Sequence, residues 1–424
     1  MLSIPPTDRR SRQDERVRIP EPARLTAAIA ALPAGAPLVA ALADLSGVHL
    51  VGGAVRDLLL GGHPTDLDLV VEGELAPVIA RLGGAVRGHD RFGTATVAVG
   101  AFCYDLARAR RERYPHPGSL PEVEPAPLRE DLLRRDFTVN AMAVALGGAR
   151  AGELVAAPRA TADLAARRLR VLHERSFIDD PTRLLRLARY RSRLGFAVAA
   201  GTLELVRQAV AAGALGTVSR ARVGAELRLL AREGDPVAAL EALDELGLRA
   251  AIHPRLEIDG ALARRALALL PGDGRRDRLV LALAARQVPA GELIELLVAM
   301  EFEAGDRDAI ARAALGAPRL ARELAAARSP SQIALAVGDA GVEAVALAGA
   351  LGAAEPAREW IERLRGVRLE IGGADLIAAG IPQGPAVGRG LRAALAAKLD
   401  GRAADRAGEL AAAVAAAGRE AGRS

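Results

Sequence analysis

Asp66 and Asp68 stand one residue apart in Asp66-Leu67-Asp68-Leu69-Val70-Val71, and this spacing has a definite chemical meaning if the run is a strand. A strand repeats every two residues, so both carboxylates share one face while Leu67 and Leu69 point into a core. Two acids on one face raise one another's pKa unless a cation lies between them, and Mg²⁺, with its preference for carboxylate oxygen, meets that need. A plainer reading is open too: Asp66 follows Pro64 and Thr65 as a turn residue, and Asp68 is solvated. Asp105, at the end of the strand-like Ala101-Phe102-Cys103-Tyr104, offers a third carboxylate. Three acids can carry the two metal ions of phosphoryl or nucleotidyl transfer, one activating an attacking hydroxyl and the other neutralising the leaving pyrophosphate.

Upstream, Gly52-Gly53-Ala54-Val55-Arg56-Asp57 follows the apolar run Val48-His49-Leu50-Val51, where a strand ends and a helix can begin. Paired glycines admit an anion close to the backbone, helix-terminal amides supply donors, and Arg56 adds a charge-assisted contact. The segment lacks the Gly-Lys-Ser/Thr of a Walker A loop and the third glycine of the dinucleotide fingerprint; a tight turn is the alternative. Arg134-Arg135-Asp136-Phe137-Thr138-Val139-Asn140 is a dense packet of donors and acceptors, for which a surface ion pair and a capping Asn140 are the alternatives.

Positive charge is focused. Residues 167–193 hold nine Arg against three acids, a local surplus larger than the net +5 of the whole chain. Asp179-Asp180-Pro181 is a good helix start, with a carboxylate to cap and proline in the first turn. Beyond it Arg183, Arg186 and Arg189 or Tyr190 share a helix face, turned either to solvent or to a nucleotide or phosphate backbone.

The elements that must position these residues change character along the 424-residue chain. Residues 1–20 read as a frayed tail and 22–45 as helix broken by Pro33 and Pro37. Strands are expected at 67–71, 94–99 and 101–106, with helix or mixed structure at 75–82 and 139–145. Five prolines and Gly118 make 111–130 an ordered but adjustable loop. From about 160, Ala and Leu recur at helical spacing in a succession of helices, and 367–390 reads as a Gly/Pro-rich loop system. The pattern is α+β: a mixed-sheet domain with helices packed on it, then helices.

Composition excludes several classes. Hydrophobic residues at 51% and charged residues at 26% are a globular balance, and the single Cys103 rules out an internal disulfide framework or a Cys-based zinc cluster. Aromatics at 2% leave few stacking platforms for bases, and Lys398 is the only lysine among 57 basic residues. A polar start without an apolar core segment, and no sufficient apolar run elsewhere, lead to the expectation of a cytoplasmic protein that does not enter a membrane.

Taken in order and at their spacing, the Gly52–Asp57 motif, Asp66-Leu67-Asp68, the 134–140 packet and Asp179-Asp180-Pro181-Thr182-Arg183-Leu184-Leu185-Arg186 resemble one family. It is that of the bacterial-type (class II) tRNA nucleotidyltransferases and the closely related poly(A) polymerases. The resemblance implies a nucleotidyltransferase head at 45–150 after an N-terminal extension at 1–44, then an all-helical neck at 151–230 with the base-selecting motif, a body at 231–366, and a tail region at 367–424 that binds tRNA. It implies catalytic Asp66, Asp68 and Asp105, with Asp66 and Asp68 on Mg²⁺ in a two-ion site. Gly52, Gly53 and Arg56 match the motif around the triphosphate. Arg135, Asp136 and Asn140 match the segment that contacts sugar and phosphate, and Asp180 and Arg183 the pair that selects the base. Arg186, Arg189 and Arg222 join them as nucleotide or phosphate contacts.

The activity implied is untemplated addition of CMP and AMP from CTP and ATP to the tRNA 3′ end and acceptor arm, releasing pyrophosphate. CC-only addition, A-only addition, poly(A) synthesis and an inactive RNA-binding protein are the alternatives. Two departures stand out: Asp179 replaces the family's usual Glu, and Ala221-Arg222-Val223-Gly224-Ala225-Glu226 keeps Arg222 and Glu226 without the usual first acid.

Overall fold

The computed structural model of the protein describes residues 19–89 and 93–418. The expected tail at 1–20 therefore falls almost wholly outside the described residues. The chain divides into two compact units, one of residues 1–219 with 246–251 and the other of 220–245 with 252–424.

The first unit is built on a seven-stranded mixed sheet. Helices α1 (Pro22–Ala30) and α2 (Gly35–Leu42) precede strand β1 (Val48–Val51), which leads into α3 (Gly53–Leu59). Then come β2 (Leu69–Val71), α4 (Ala76–Leu82), β3 (Ala85–His89), β4 (Thr94–Val99) and β5 (Phe102–Arg108). A small hairpin of β6 (Arg110–Arg113) and β7 (Glu122–Pro125) precedes α5 (Leu128–Leu133), β8 (Met142–Ala145) and β9 (Leu154–Ala156). The strand order is β3-β4-β5-β2-β1-β8-β9, with β2 and β5 parallel and the other neighbours antiparallel.

Burial explains the pattern. All four residues of β1 and of β8 are buried, because these strands lie inside the sheet with both faces covered. That corrects the mixed reading of 139–145: a run buried on both faces carries no period, and it resolves into a 3-10 turn (Thr138–Asn140) followed by β8. In β4 and β5 the buried residues alternate, which gives one core face and one open face. The expected loop at 111–130 is instead largely hairpin and helix, with Pro115, Pro117 and Pro121 confined to the connection between β6 and β7, where a missing amide costs no ladder bond. Residues ahead of the sheet are part of this unit, since the Tyr104 hydroxyl donates to the Ala34 carbonyl at 2.8 Å. Pro33 separates α1 from α2, whereas Pro37 sits in the first turn of α2 and breaks nothing.

Helices follow: α6 (Ala160–Ala165), α7 (Ser176–Asp179), α8 (Thr182–Leu194) and α9 (Ala200–Ala211). This stretch is not wholly helical as expected. Strand β9 completes the sheet beyond residue 150, and β10 (Arg168–Leu169) pairs in parallel with β11 (Ala197–Val198).

The second unit is helical, from α10 (Arg220–Ala231) to Arg406–Gly418. The expected loop system at 367–390 is mostly helix, Gly373–Ala378 and Pro385–Leu399. Its glycines serve close packing: a Cβ on Gly390 would lie 2.6 Å from the Leu376 side chain and 3.0 Å from the Ala413 carbonyl oxygen. No single helix among the described residues is long and apolar enough to cross a membrane; one pair bent by 116° passes by length and composition only.

Candidate active site

Asp66, Leu67 and Asp68 lie just before β2, with Leu67 2% exposed and both aspartates exposed, so the two-residue alternation holds although the strand itself starts at Leu69. The Val51 amide donates to the Asp68 carbonyl at 3.0 Å, which carries the pairing with β1 one residue past the strand. Because β2 and β5 run parallel with Leu69 opposite Leu106, the residues one step earlier, Asp68 and Asp105, stand side by side. Asp105 lies within β5 rather than at its end, its carboxylate Oδ1 accepting from Thr96 Oγ1 at 2.6 Å across the β4–β5 pair. Both aspartates line one cavity of 440 Å³ that Arg134 and Arg135 also line.

The electrostatics follow from that crowding. Although the Asp68 residue as a whole is exposed, partial withdrawal of its carboxyl from solvent and then the Asp105 charge hold that carboxyl above the usual carboxylate range, with Arg135 opposing the effect and Asp66 adding to it. Asp68 and Asp105, side by side, are hard oxygen donors suited to a divalent cation, and Asp66 lies two residues before Asp68. No group of three or more His, Cys, Asp or Glu side chains in metal-holding arrangement forms among the described residues. A larger cavity, 930 Å³, lies in the second unit, but two of its acids, Glu355 and Glu359, are already paired with Arg358 and Arg363.

Beside the acids runs a chain of buried polar groups. Arg56, 2% exposed, donates Nη1 to Asn140 Oδ1 at 2.6 Å and Nε and Nη2 to the Asp57 carboxylate. Asn140 Nδ2 donates to Asp136 Oδ1 at 3.0 Å, as does the Phe137 amide at 2.8 Å. Arg186 reaches Asp136 Oδ2 with Nε at 2.9 Å and Nη2 at 2.6 Å. Neither the surface ion pair nor the capping Asn140 describes this packet: Asp136 and Asn140 are core residues joining α3, the 3-10 turn and α8. Tyr190 lies among four guanidinium groups, those of Arg56, Arg186, Arg189 and Arg193, each 5.2–5.7 Å from its ring centroid.

Burial would raise the Asp136 carboxyl, but Arg186, Asn140 and the Phe137 amide together outweigh it and hold the pKa at about 2. The folded value lies below the unfolded one of about 3.9, so Asp136 contributes its stabilisation above about pH 4 and loses it as pH falls toward 2, roughly 2 kcal/mol in all. The stability advantage of wild type over Asp136→Asn is therefore expected to shrink across that window in urea unfolding, whereas a pH-independent difference would mean that the charge is not what holds the packet.

The two residues expected to select the base are both engaged within the protein. Asp180 Oδ1 accepts from the Thr182 amide at 3.1 Å and its hydroxyl at 2.6 Å, which ties Asp180 to the first residue of α8. Arg183 is 4% exposed and donates Nη1 to Ser176 Oγ at 2.8 Å and Nη2 to the Arg134 carbonyl at 2.6 Å. Arg189, expected on an open helix face, is 6% exposed. The first two turns of α8 are buried almost all round, which the spacing of arginines alone conceals. Gly52 stands in the left-handed region at φ 69°, and Arg222 lies on α10 in the second unit, apart in the chain's division from the other site residues.

Comparison with known proteins adds the decisive observation. The model of the Poly A polymerase head domain matches residues 48–170. The A-adding tRNA nucleotidyltransferase of Geobacter sulfurreducens is 42% identical over 233 residues, 52% of this chain and 26% of its own length. The CC-adding tRNA nucleotidyltransferase of Deinococcus radiodurans is 44% identical over 206 residues, 47% of this chain and 53% of its own. The Thermotoga maritima CCA-adding enzyme complexed with tRNA aligns over 93% of this chain and 98% of its own with a TM-score of 0.77 and 26% identity. In sequence over its first half and in fold the chain is similar to the bacterial-type class II tRNA nucleotidyltransferases. It spans 23–60% of the length of the curated relatives it matches.

Within this family's motifs, Asp179 ends α7 and accepts from Arg175 Nη2 at 3.0 Å. Several residues escape motif reading: Asp131, Glu112, Thr96 and Ser176. Asp131 alone carried a signal, the helical spacing of three and four residues that brings it to Arg134 and Arg135, whereas Glu112 meets Arg134 only through the fold.

Proposed function

We propose that this protein adds CMP and AMP, from CTP and ATP, to the 3′ end of tRNA without a template, releasing pyrophosphate. The observation that carries the reading is the acid pair: Asp68 and Asp105 side by side in one cavity that Arg134 and Arg135 also line. Similar CCA-adding enzymes of known structure in complex with CTP and with ATP support the choice of nucleotides. In the expected parts, 45–150 is the catalytic head, 151–230 the neck, 231–366 the body and 367–424 a tail for the tRNA, the whole acting in the cytoplasm.

The donor set fits Mg²⁺, being carboxylate oxygens that repel one another as they stand, with Asp66, Asp68 and Asp105 the residues that would hold it. When bound, such an ion lowers the pKa of the attacking hydroxyl and neutralises charge on the leaving group. In the reaction the RNA 3′ hydroxyl oxygen forms a bond to the α-phosphorus and its proton passes to solvent. The bond from that phosphorus to the bridging oxygen breaks, and pyrophosphate leaves with the electron pair. Arg135 faces the acids with positive charge for the phosphates. The packet of Arg56, Asn140, Asp136 and Arg186 fixes the turn after β1 against α8, which sets Asp180 and Arg183 relative to the acids.

A second reading, A-only addition, is favoured by the three relatives from Geobacter, Aquifex and Halalkalibacterium, all named A-adding. Either reading requires that pyrophosphate appear one for one with nucleotide joined to RNA, that both stop when EDTA removes the divalent ion, and that neither occur without RNA. Nucleotide hydrolysis without RNA extension would overturn both.

A further inference from the structure

Asp131, on α5, is wholly buried, and both of its oxygens are spent on arginine. Oδ1 accepts from Arg134 Nε at 2.9 Å and Nη2 at 2.7 Å and from the Arg110 backbone amide at 3.3 Å; Oδ2 accepts from Arg135 Nε at 3.3 Å and Nη2 at 3.1 Å. The two arginines then part company. Arg134 gives its remaining nitrogen, Nη1, to Glu112 Oε1 at 2.7 Å, so every nitrogen of that guanidinium is used within the protein. Among the described residues Arg135 is held by its Nε and Nη2 edge alone, and no bond to another described residue takes up Nη1. That nitrogen lies against the turn after β1, where a Cβ on Gly52 would be 3.0 Å away, and Arg135 lines the cavity of Asp68 and Asp105.

We infer that Asp131 is a positioning residue, which neutralises Arg134 as a strut and aims the Nη1 edge of Arg135 into the cavity as the donor to the polyphosphate of the incoming nucleotide. A guanidinium is a rigid fork: fixing two nitrogens fixes the direction of the third, and a donor aimed before the ligand arrives spends no ordering entropy on binding it. Gly52 then owes its lack of a side chain to the room Arg135 needs, as well as to its φ. The sequence reading gave that room to an anion instead. The identity of the anion rests on the proposed nucleotidyl transfer, while the geometry of the clamp does not.

The sign of one measurement separates aiming from simple neutralisation. Asp131→Asn removes a negative charge close to the cavity; if Asp131 only balances charge, inorganic tripolyphosphate should bind the intact protein more tightly. Aiming requires the opposite, a loss of about 10-fold or more. In an Arg135→Ala background the same Asn substitution should change affinity by less than about twofold, because the residue through which Asp131 acts is gone. Should Asp131→Asn fail to fold, Arg135→Lys in the otherwise wild-type chain gives the answer: a lysine keeps the charge and cannot be held by one edge while presenting another, so its binding should also weaken about 10-fold. Tighter binding by Asp131→Asn, additive effects in the double variant, or full affinity in Arg135→Lys overturns the inference. Failure of wild type to bind tripolyphosphate, CTP or ATP would instead remove the nucleotidyl-transfer reading on which the ligand rests.

Discussion

Asp68→Ala is expected to lower nucleotide incorporation by at least about 100-fold at saturating Mg²⁺ while the melting temperature stays unchanged or rises. Asp66→Ala should behave alike. The fold does not depend on these carboxylates, because Leu67 and Leu69 make the buried contacts and the ladder to β1 uses the Asp68 backbone. The Asp68 carboxyl is held above its usual range by loss of solvent and by Asp105, so its ionised form costs stability in the absence of a cation. Its removal relieves that cost. Steady-state incorporation and a thermal melt on the same preparation decide the matter: near-normal turnover would detach the acid pair from the chemistry, and a collapse of the melt would make it structural.

Arg183→Ala should blur the choice among CTP, ATP, UTP and GTP. A good bidentate pair to a base edge is worth roughly 1 to 3 kcal/mol, about 5- to 150-fold, and one partner of a pair should cost no more. The placement of Arg183 makes the competing explanation concrete. Its Nη1 and Nη2 are given to Ser176 and to the Arg134 carbonyl, so the side chain is also a strut between α8 and the segment that carries Arg135. Competition among all four nucleotides separates the two roles: a base reader loses the ratio of correct to incorrect addition, whereas a strut loses overall rate and stability with the ratio kept.

Much of the site could be read from spacing, since two-residue alternation is a property of the strand itself. Asp66 and Asp68 face one way and Leu67 the other even though the ladder begins only at Leu69. What spacing could not give is which residues meet across the sheet. The neighbouring of Asp68 and Asp105 depends on the parallel register of β2 and β5, which joins positions 37 apart in sequence through Leu69 and Leu106. Burial of charge was hidden for the same reason. Arg183, Arg189 and Asp131 look like surface residues on a helix wheel, and only tertiary packing puts them inside, where each needs partners that the sequence does not name. The 139–145 run misled in the opposite way, because a strand covered on both faces has no polar side to mark its period.

The central claim, stepwise CCA addition, is tested most directly by product length at single-nucleotide resolution. Purified protein is given tRNA lacking the whole CCA, tRNA lacking only the final A, and an unrelated RNA, with CTP alone, ATP alone, and both together. The account predicts two added nucleotides on the first tRNA with CTP alone, three with CTP and ATP and then termination, one on the second with ATP, and none on the unrelated RNA. Extension of the second tRNA only would establish A-only addition in its place, and an open-ended ladder on any RNA with ATP would contradict the account.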